Sequence, residues 1–354
     1  MNPKILVAMS GGVDSSVAAL LLKREGYDCI GAMMDLFSKD NPALLLPKTK
    51  EDDVLAAGRV ADALSIPFSL LDCAREFERD VISYFVNTYL EGGTPNPCIQ
   101  CNHTVKFGLL WEKAKEMGCE ALATGHYARI QRDATGRALL MRGKDLGKDQ
   151  SYVLWRLSRD VLSHVRLPLG DLTKSEVREL AASASLPTAH RSESQDICFI
   201  PDGDYAAFIE RFTKKTFPEG NFLDVEGRII GRHKGSLRYT VGQRKGLGIA
   251  LGHPCYVISK NTVQNTVTLG LNEDLFTREL TAHSLNLIAT DRLDTPTRVE
   301  AKIRYSALPA RATVEQTSQD TFVLRFDTPQ RAVTTGQSVV LYDGDTVIGG
   351  GIID

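Results

Sequence analysis

Near the start of the chain runs Lys4-Ile5-Leu6-Val7-Ala8-Met9-Ser10-Gly11-Gly12-Val13-Asp14-Ser15-Ser16, a short apolar stretch that breaks at a pair of glycines. Residues 4–9 read as a buried strand. After the glycines, Val13, Val17, Leu20 and Leu21 fall at i, i+4, i+7 and i+8, which is one face of a helix. Gly26 stops that helix, and a second apolar strand covers residues 29–34. Strand, turn, helix, strand is a βαβ unit, and such units imply a parallel sheet with helices on both faces.

The pattern continues outward. Residues 53–64 read as a helix, 67–71 as a strand, 77–89 as a helix and 120–124 as a short strand ending in Gly125-His126. Thr173-Lys174-Ser175-Glu176 has capping-box spacing and starts a helix running to about residue 184. An α/β domain is expected over residues 1–200. Beyond Pro201-Asp202-Gly203-Asp204 comes one short helix (205–212), then runs rich in Val, Ile, Thr and Tyr at 256–258, 266–269, 299–303, 321–326 and 338–342. Alternation and close turn spacing point to β-sandwich or barrel modules. They divide near residue 275 into a small central β-rich domain (201–275) and a C-terminal β-barrel (276–354).

The chain has 354 residues, 43% apolar and 24% charged, a composition able to bury real cores. No apolar stretch approaches the ~20 residues that span a bilayer, and the N-terminus does not resemble a signal peptide. A cytoplasmic protein with no membrane partner is expected. Seven cysteines, an odd number, argue against a disulfide framework. The net charge is −2, yet residues 227–272 contain no Asp or Glu and carry Arg228, Arg232, Lys234, Arg238, Arg244, Lys245 and Lys260. Such asymmetry suits a phosphate-facing surface, and a solvated basic face would look the same.

A glycine turn between a buried strand and a helix start cradles phosphate with its backbone N–H groups and the helix dipole. Here no Gly-Lys-Ser/Thr follows, so the turn is not a Walker A loop, and it is not G-x-G-x-x-G. Ser10-Gly11-Gly12-Val13-Asp14-Ser15 resembles instead the PP-loop of the ATP pyrophosphatase superfamily, whose members cleave ATP between the α and β phosphates. That resemblance assigns ATP to the backbone of Ala8, Met9, Ser10, Gly11, Gly12, Val13, Asp14 and Ser15, with the hydroxyls of Ser10 and Ser15. Asp14 would help hold Mg2+ near the pyrophosphate. Met34, ending the second strand, is placed to touch adenine, although core packing would explain it equally.

Thr94-Pro95-Asn96-Pro97-Cys98-Ile99-Gln100-Cys101-Asn102 is expected to be a rigid, proline-rich loop presenting two cysteines at CxxC spacing. A lone CxxC serves redox exchange, zinc or iron–sulfur ligation, and zinc would need ligands that no second CxxC supplies. Together with Thr124-Gly125-His126-Tyr127-Ala128-Arg129, Lys148-Asp149-Gln150-Ser151-Tyr152, Ser194-Gln195-Asp196-Ile197-Cys198-Phe199, Tyr239-Thr240-Val241-Gly242-Gln243-Arg244-Lys245-Gly246-Leu247-Gly248 and Lys302-Ile303-Arg304-Tyr305-Ser306, these motifs resemble the tRNA-specific 2-thiouridylases in content and order along almost the whole chain.

The resemblance implies an ATP-dependent tRNA-uridine 2-sulfurtransferase. ATP adenylates O2 of the wobble uridine, releasing pyrophosphate. A persulfide on Cys198 then delivers sulfur to C2, and Cys101, the nucleophile, resolves the intermediate by forming a disulfide with Cys198. Both thiols then need a positive environment or a base, because an ordinary thiol is protonated at neutral pH. Some family members carry Asp where this chain has Cys98. Cys98 is either a helper or, with Cys101 and Cys198, a ligand of a 4Fe–4S cluster.

Asn96, Pro97 and Cys98 would line the pocket of a flipped-out base. Gly125 matches a family position near ATP, and His126, Lys148, Asp149 and Gln150 match positions that contact tRNA. Arg304 and Tyr305 offer a phosphate fork and a stacking face, Gln337 a contact to the anticodon region, and Arg244 and Lys245 an RNA surface. Family substrates are the tRNAs for Lys, Glu and Gln, and the sulfur source is a relay protein or a cysteine desulfurase. A small-molecule PP-loop ligase would explain the loop but not the cysteines. A non-enzymatic RNA-binding protein would explain only the C-terminal half.

Overall fold

A computed structural model describes residues 2–37, 51–191 and 197–354. Ser194, Gln195 and Asp196, part of the motif around Cys198, lie outside them. The N-terminal part runs β1 (Lys4–Ala8), α1 (Val13–Arg24), β2 (Asp28–Asp35), α2 (Glu51–Leu64), β3 (Phe68–Asp72), α3 (Ala74–Phe77), α4 (Ser83–Leu90), α5 (Pro97–Cys101), α6 (Leu110–Glu116), β4 (Ala121–Ala123), β5 (Ala128–Arg132), β6 (Ala138–Arg142), α7 (Arg159–Ser163), β7 (Val165–Arg166) and α8 (Lys174–Ser183). The helix expected at 77–89 extends over 74–90 because the π-helical turn Glu78–Ile82 joins α3 to α4 without a break.

Five parallel strands form one sheet in the order β3-β2-β1-β4-β7. Ile5, Leu6 and Val7 of β1 have no exposed surface, as a central strand covered on both faces requires. The chain steps outward from β1 through β2 to β3, then returns to the other side of β1 with β4. That reversal opens a crevice at the strands' C-terminal ends, where sheets of this kind hold ligands. The loop after β1 and Gly125-His126 after β4 flank it.

The middle part holds α9 (Tyr205–Thr213) and a four-stranded sheet built from β8 (Gly220–Leu223), β9 (Ile229–His233), β10 (Tyr256–Asn261) and β11 (Thr266–Gly270). The C-terminal part comprises β12 (Phe276–Leu287), β13 (Thr297–Lys302), β14 (Ala310–Gln316), β15 (Phe322–Arg331), β16 (Ser338–Asp343) and β17 (Thr346–Ile353). These six strands pair in sequence β12-β15-β14-β13-β16-β17, and β17 pairs back onto β12, so the sheet closes as a barrel. Of the two β architectures the sequence allowed, the barrel is the one adopted.

The hairpin β5–β6 leaves the N-terminal part and pairs with β17 through Thr346 and Met141. Successive residues of β16 therefore face different cores. Val339 and Leu341 point into the barrel, whereas Val340 and Tyr342 pack with Tyr152, Leu154 and Trp155. Tyr152 also donates its hydroxyl hydrogen to the Ser338 carbonyl at 2.8 Å. This shared core fixes the barrel against the parallel sheet of the N-terminal part.

Candidate active site

The loop after β1 is shaped by glycine. Gly11 has φ +74°, and a Cβ there would lie 2.5 Å from the Asp53 carbonyl oxygen. Gly12 caps α1 in extended conformation. The Ser15 hydroxyl donates to the Gly12 carbonyl (3.1 Å) and accepts from the Ser10 amide (3.1 Å). Gly125 lets the end of β4 touch the same turn, since its Cβ would meet Asp14 and Ser15 backbone atoms at 2.8–3.0 Å. Met9 and Val13 are core residues, so they and Ala8 can offer a ligand only backbone. Met34 is half-buried and packs against both the core below the sheet and the cluster that holds Cys101.

Two cations brace this loop. Lys174 Nζ donates to both Asp14 carboxylate oxygens at 2.7 and 2.9 Å, and the Tyr127 hydroxyl donates to one of them at 2.7 Å. Arg191 donates to the Gly11 carbonyl at 2.7 Å and to the Asp53 carboxylate at 2.6 Å.

The cysteine segment is not the irregular loop expected of it. Pro97 opens α5 at a position where proline's fixed φ is welcome and its missing N–H costs nothing. Asn96 caps it, its side chain accepting from the Ile99 amide at 3.2 Å. The helix continues through the π-helical segment Asn102–Leu109 into α6. Cys98 and Cys101 thus lie three residues apart on one helical face, Cys98 exposed and Cys101 buried. Cys198 is an exposed residue anchored by Phe199, which is 2% exposed and packs edge-on against Phe77 and Phe85.

The surrounding protein nonetheless crowds the Cys198 sulfur. Desolvation first, then the negative charges of Cys101 and Cys98, push its thiol up to about 12. Desolvation likewise pushes Cys101 up to about 11, and the nearby Lys106 ammonium works against the rise at both. The three sulfurs therefore share one electrostatic neighbourhood. They do not fit an iron–sulfur cluster as they stand: among the described residues no three His, Cys, Asp or Glu side chains come together as a metal site. The cluster reading is set aside on that geometry.

The remaining candidates converge only in part. Tyr305 is exposed, and its phenol, raised chiefly by burial of its inner edge, also feels Asp149, Lys148 and Cys98. Asp149 itself is turned inward, accepting from the amides of Gly143 and Ser151 and from the Ser151 hydroxyl. Gln150 accepts from the Tyr127 amide at 2.9 Å. His126 is buried, bonded through Nδ1 to the Thr124 hydroxyl at 2.7 Å, and desolvation holds it well below the ordinary histidine range. Arg304 donates to the Arg331 carbonyl at 3.1 Å. Gln337 reaches from the barrel to the Thr94 carbonyl at 2.8 Å, just ahead of the cysteine helix.

Three domain families match the chain in order: a tRNA methyl transferase HUP domain over residues 3–202, a tRNA methyl transferase PRC-barrel domain over 206–271 and an aminomethyltransferase beta-barrel domain over 277–353. The tRNA-specific 2-thiouridylase MnmA of Clostridioides difficile (strain 630) is 49% identical over 356 aligned residues, covering 100% of this chain and 99% of the relative. The chain belongs to the tRNA-specific 2-thiouridylase family. MnmA of Moorella thermoacetica is also 49% identical, with 99% of each chain covered. A 4-thiouridine synthetase–RNA complex with bound ATP aligns at 15% identity and a TM-score of 0.37 over 60% of this chain and 50% of that one, too distant to add to the assignment.

In this thiouridylase the uniformly basic stretch dissolves on folding. Arg228 pairs with Asp224 and Glu226, Arg232 with Glu219, and Arg238 with Glu210 and Asp204. Lys260 turns inward. Lys234, Arg244 and Lys245 stay exposed. Lys106, Lys174 and Arg191 are the site cations that sequence reasoning missed. Lys174 appeared only as an inner residue of a capping box, and nothing local marks the other two.

Proposed function

We propose that the chain replaces O2 of the wobble uridine of tRNA with sulfur in two stages that meet at the C-terminal edge of the parallel sheet. The uridine O2 attacks the α-phosphorus of ATP held by the Ser10–Ser15 turn and α1's N-terminus, and pyrophosphate leaves. The outer sulfur of a Cys198 persulfide then attacks the activated C2. Cys101 attacks Sγ of Cys198, the persulfide S–S bond breaks with its electron pair going to the transferred sulfur, and AMP departs with the oxygen. The two cysteines end as a disulfide, having supplied the two electrons that the transferred sulfur gains.

The observations that support this reading are that Cys101 and Cys98 both lie within electrostatic reach of Cys198, and that the turn after β1 has no room for a side chain at Gly11. Cys98, one turn ahead of Cys101, is proposed as a helper in proton transfer. Asp14, committed to Lys174 here, would hold Mg2+ once the ammonium gives way, bringing a charge that screens the phosphates. Asn96, Pro97, Tyr305, Lys148, Arg244 and Lys245 would receive the anticodon loop of the tRNAs for Lys, Glu and Gln, with His126, Arg304 and Gln337 bracing that surface. A relay protein or cysteine desulfurase would charge Cys198, whose exposure supports such access. All seven cysteines are free thiols, which suits the reducing cytoplasm. Among the described residues no helix is long and apolar enough to cross a membrane.

The test uses protein purified without oxygen. Iron-free protein that thiolates tRNA with ATP and a persulfide donor supports the scheme. Stoichiometric iron, with activity lost on its removal, sinks it.

A further inference from the structure

A disulfide between Cys101 and Cys198 would be poorly placed for reduction. Cys101 is 8% exposed, and burial is the largest influence on both sulfurs. Thiol–disulfide exchange depends on access to the sulfur attacked. A reductant that did reach Cys198 would also occupy the sulfur that has to be recharged. Cys98 combines two properties that bear on this: it is exposed, and it lies within electrostatic reach of both Cys101 and Cys198. Its distance from Cys101 is set by the helix. Asn96 caps α5 and Pro97 opens it, Ile99 is buried between the two cysteines, and Arg156 donates to the Gln100 side chain at 2.6 Å. Three residues of helix separate Cα atoms by about 5 Å, within the span of a disulfide.

We propose that Cys98 is a resolving thiol that carries the oxidation from a Cys101–Cys198 disulfide to the protein surface. The Cys98 thiolate, its proton lost to water, attacks Sγ of Cys101. A Cys98–Cys101 bond forms as the Cys101–Cys198 bond breaks, and the electron pair stays on Cys198, which takes up a proton. The exchange neither gains nor loses electrons. It frees the sulfur carrier for a fresh persulfide and leaves the two-electron oxidation on a CxxC pair with one exposed member. A dithiol in solution then attacks Sγ of Cys98, and Cys101 departs with the electron pair. The dithiol's second sulfur closes on its first and releases Cys98, so the dithiol supplies two electrons and ends as a disulfide. The inference rests on the reading that a turnover leaves Cys101 and Cys198 joined. It gives Cys98 a task after the sulfur has moved, separate from proton transfer before it.

The test charges full-length wild type and Cys98→Ser with persulfide at Cys198 and adds ATP and tRNA without reductant. After acid quenching and alkylation, mass spectrometry maps the disulfides. Each protein should thiolate a single tRNA per charged chain, the variant more slowly for want of its proton-transfer helper. Wild type should then hold the Cys98–Cys101 disulfide and a free Cys198 thiol, and the variant the Cys101–Cys198 disulfide. With dilute dithiothreitol and a persulfide donor present, the ratio of later to first turnover rates should fall roughly tenfold in the variant. Cys101–Cys198 as the only disulfide in wild type, or an equal ratio in the two proteins, would overturn the proposal, and the wild-type map decides this without the variant. Wild type that thiolates tRNA yet forms neither disulfide would instead remove the reading beneath it.

Discussion

Arg191 reaches across the nucleotide turn, donating to the Gly11 carbonyl at 2.7 Å and to the Asp53 carboxylate at 2.6 Å. Gly11 stands at φ +74°, and its carbonyl is held by the guanidinium rather than by another backbone amide. Arg191 also lies seven residues before Cys198, so one side chain links the loop, α2 and the segment leading to the sulfur carrier. Charge-assisted hydrogen bonds contribute about 1.5–3 kcal/mol, and the partial exposure of this pair places it at the lower end. Arg191→Ala should therefore weaken ATP binding roughly tenfold, as read by equilibrium titration. Unchanged affinity would mean the turn keeps its shape without this brace.

Cys101 and Cys198 should behave as reluctant thiols until substrate arrives. With one held at about 11 and the other at about 12, both are protonated at neutral pH. Alkylation of each by iodoacetamide in the free protein should rise about tenfold per pH unit between 7 and 9, followed by mass spectrometry of the two peptides. A plateau near pH 7 at either would show that a cation such as Lys106 outweighs burial there. Serine at either position should abolish thiolation while ATP-dependent pyrophosphate release with tRNA persists.

The nucleotide half was legible because strand and helix periods are local, and the strands, turn and helix from Lys4 to Asp35 sit within a residue or two of expectation. The cysteine helix reads as a loop from sequence because Pro95 and Pro97 suggest irregular structure. Yet Asn96-Pro97 is a helix-start signature, a cap followed by a proline at the first helical position. The basic stretch is less bare in the fold than in the sequence, because its counter-ions all precede it: Asp224 and Glu226 meet Arg228 in the turn between β8 and β9, Glu219 meets Arg232, and Asp204 and Glu210 reach Arg238 from the start and body of α9. The β5–β6 hairpin was overlooked, since its partner β17 begins some two hundred residues later and no local pattern announces that pairing.

Arg244 and Lys245 are exposed, and neither makes an ion pair among the described residues. Changing both to Glu should weaken tRNA binding and flatten its dependence on salt by about one log unit per lost phosphate contact, with ATP affinity intact. Filter binding across a salt series reads both quantities. An unaltered tRNA affinity would move the RNA surface away from this loop.

Lys260 of β10 lies with its ammonium 5.9 Å from the Tyr89 ring centre and without a hydrogen-bond partner among the described residues. Desolvation pushes its pKa down from 10.5 to about 8. Below pH 8 the amine is charged in both the folded and unfolded chain, and the folded state bears the full cost of burying it. Between about 8 and 10.5 the unfolded chain holds a proton that the folded one has released, so stability rises with pH across that window. Lys260→Met removes the buried charge and keeps a flexible apolar stem of similar length. It should raise stability at pH 7 by about 1–3 kcal/mol, and the gain should shrink as pH climbs through the window. Urea melts of both proteins at pH 7 and pH 10 decide the matter. A variant less stable than wild type at pH 7 would show that attraction to the Tyr89 ring outweighs desolvation, making Lys260 a brace between the middle sheet and α4.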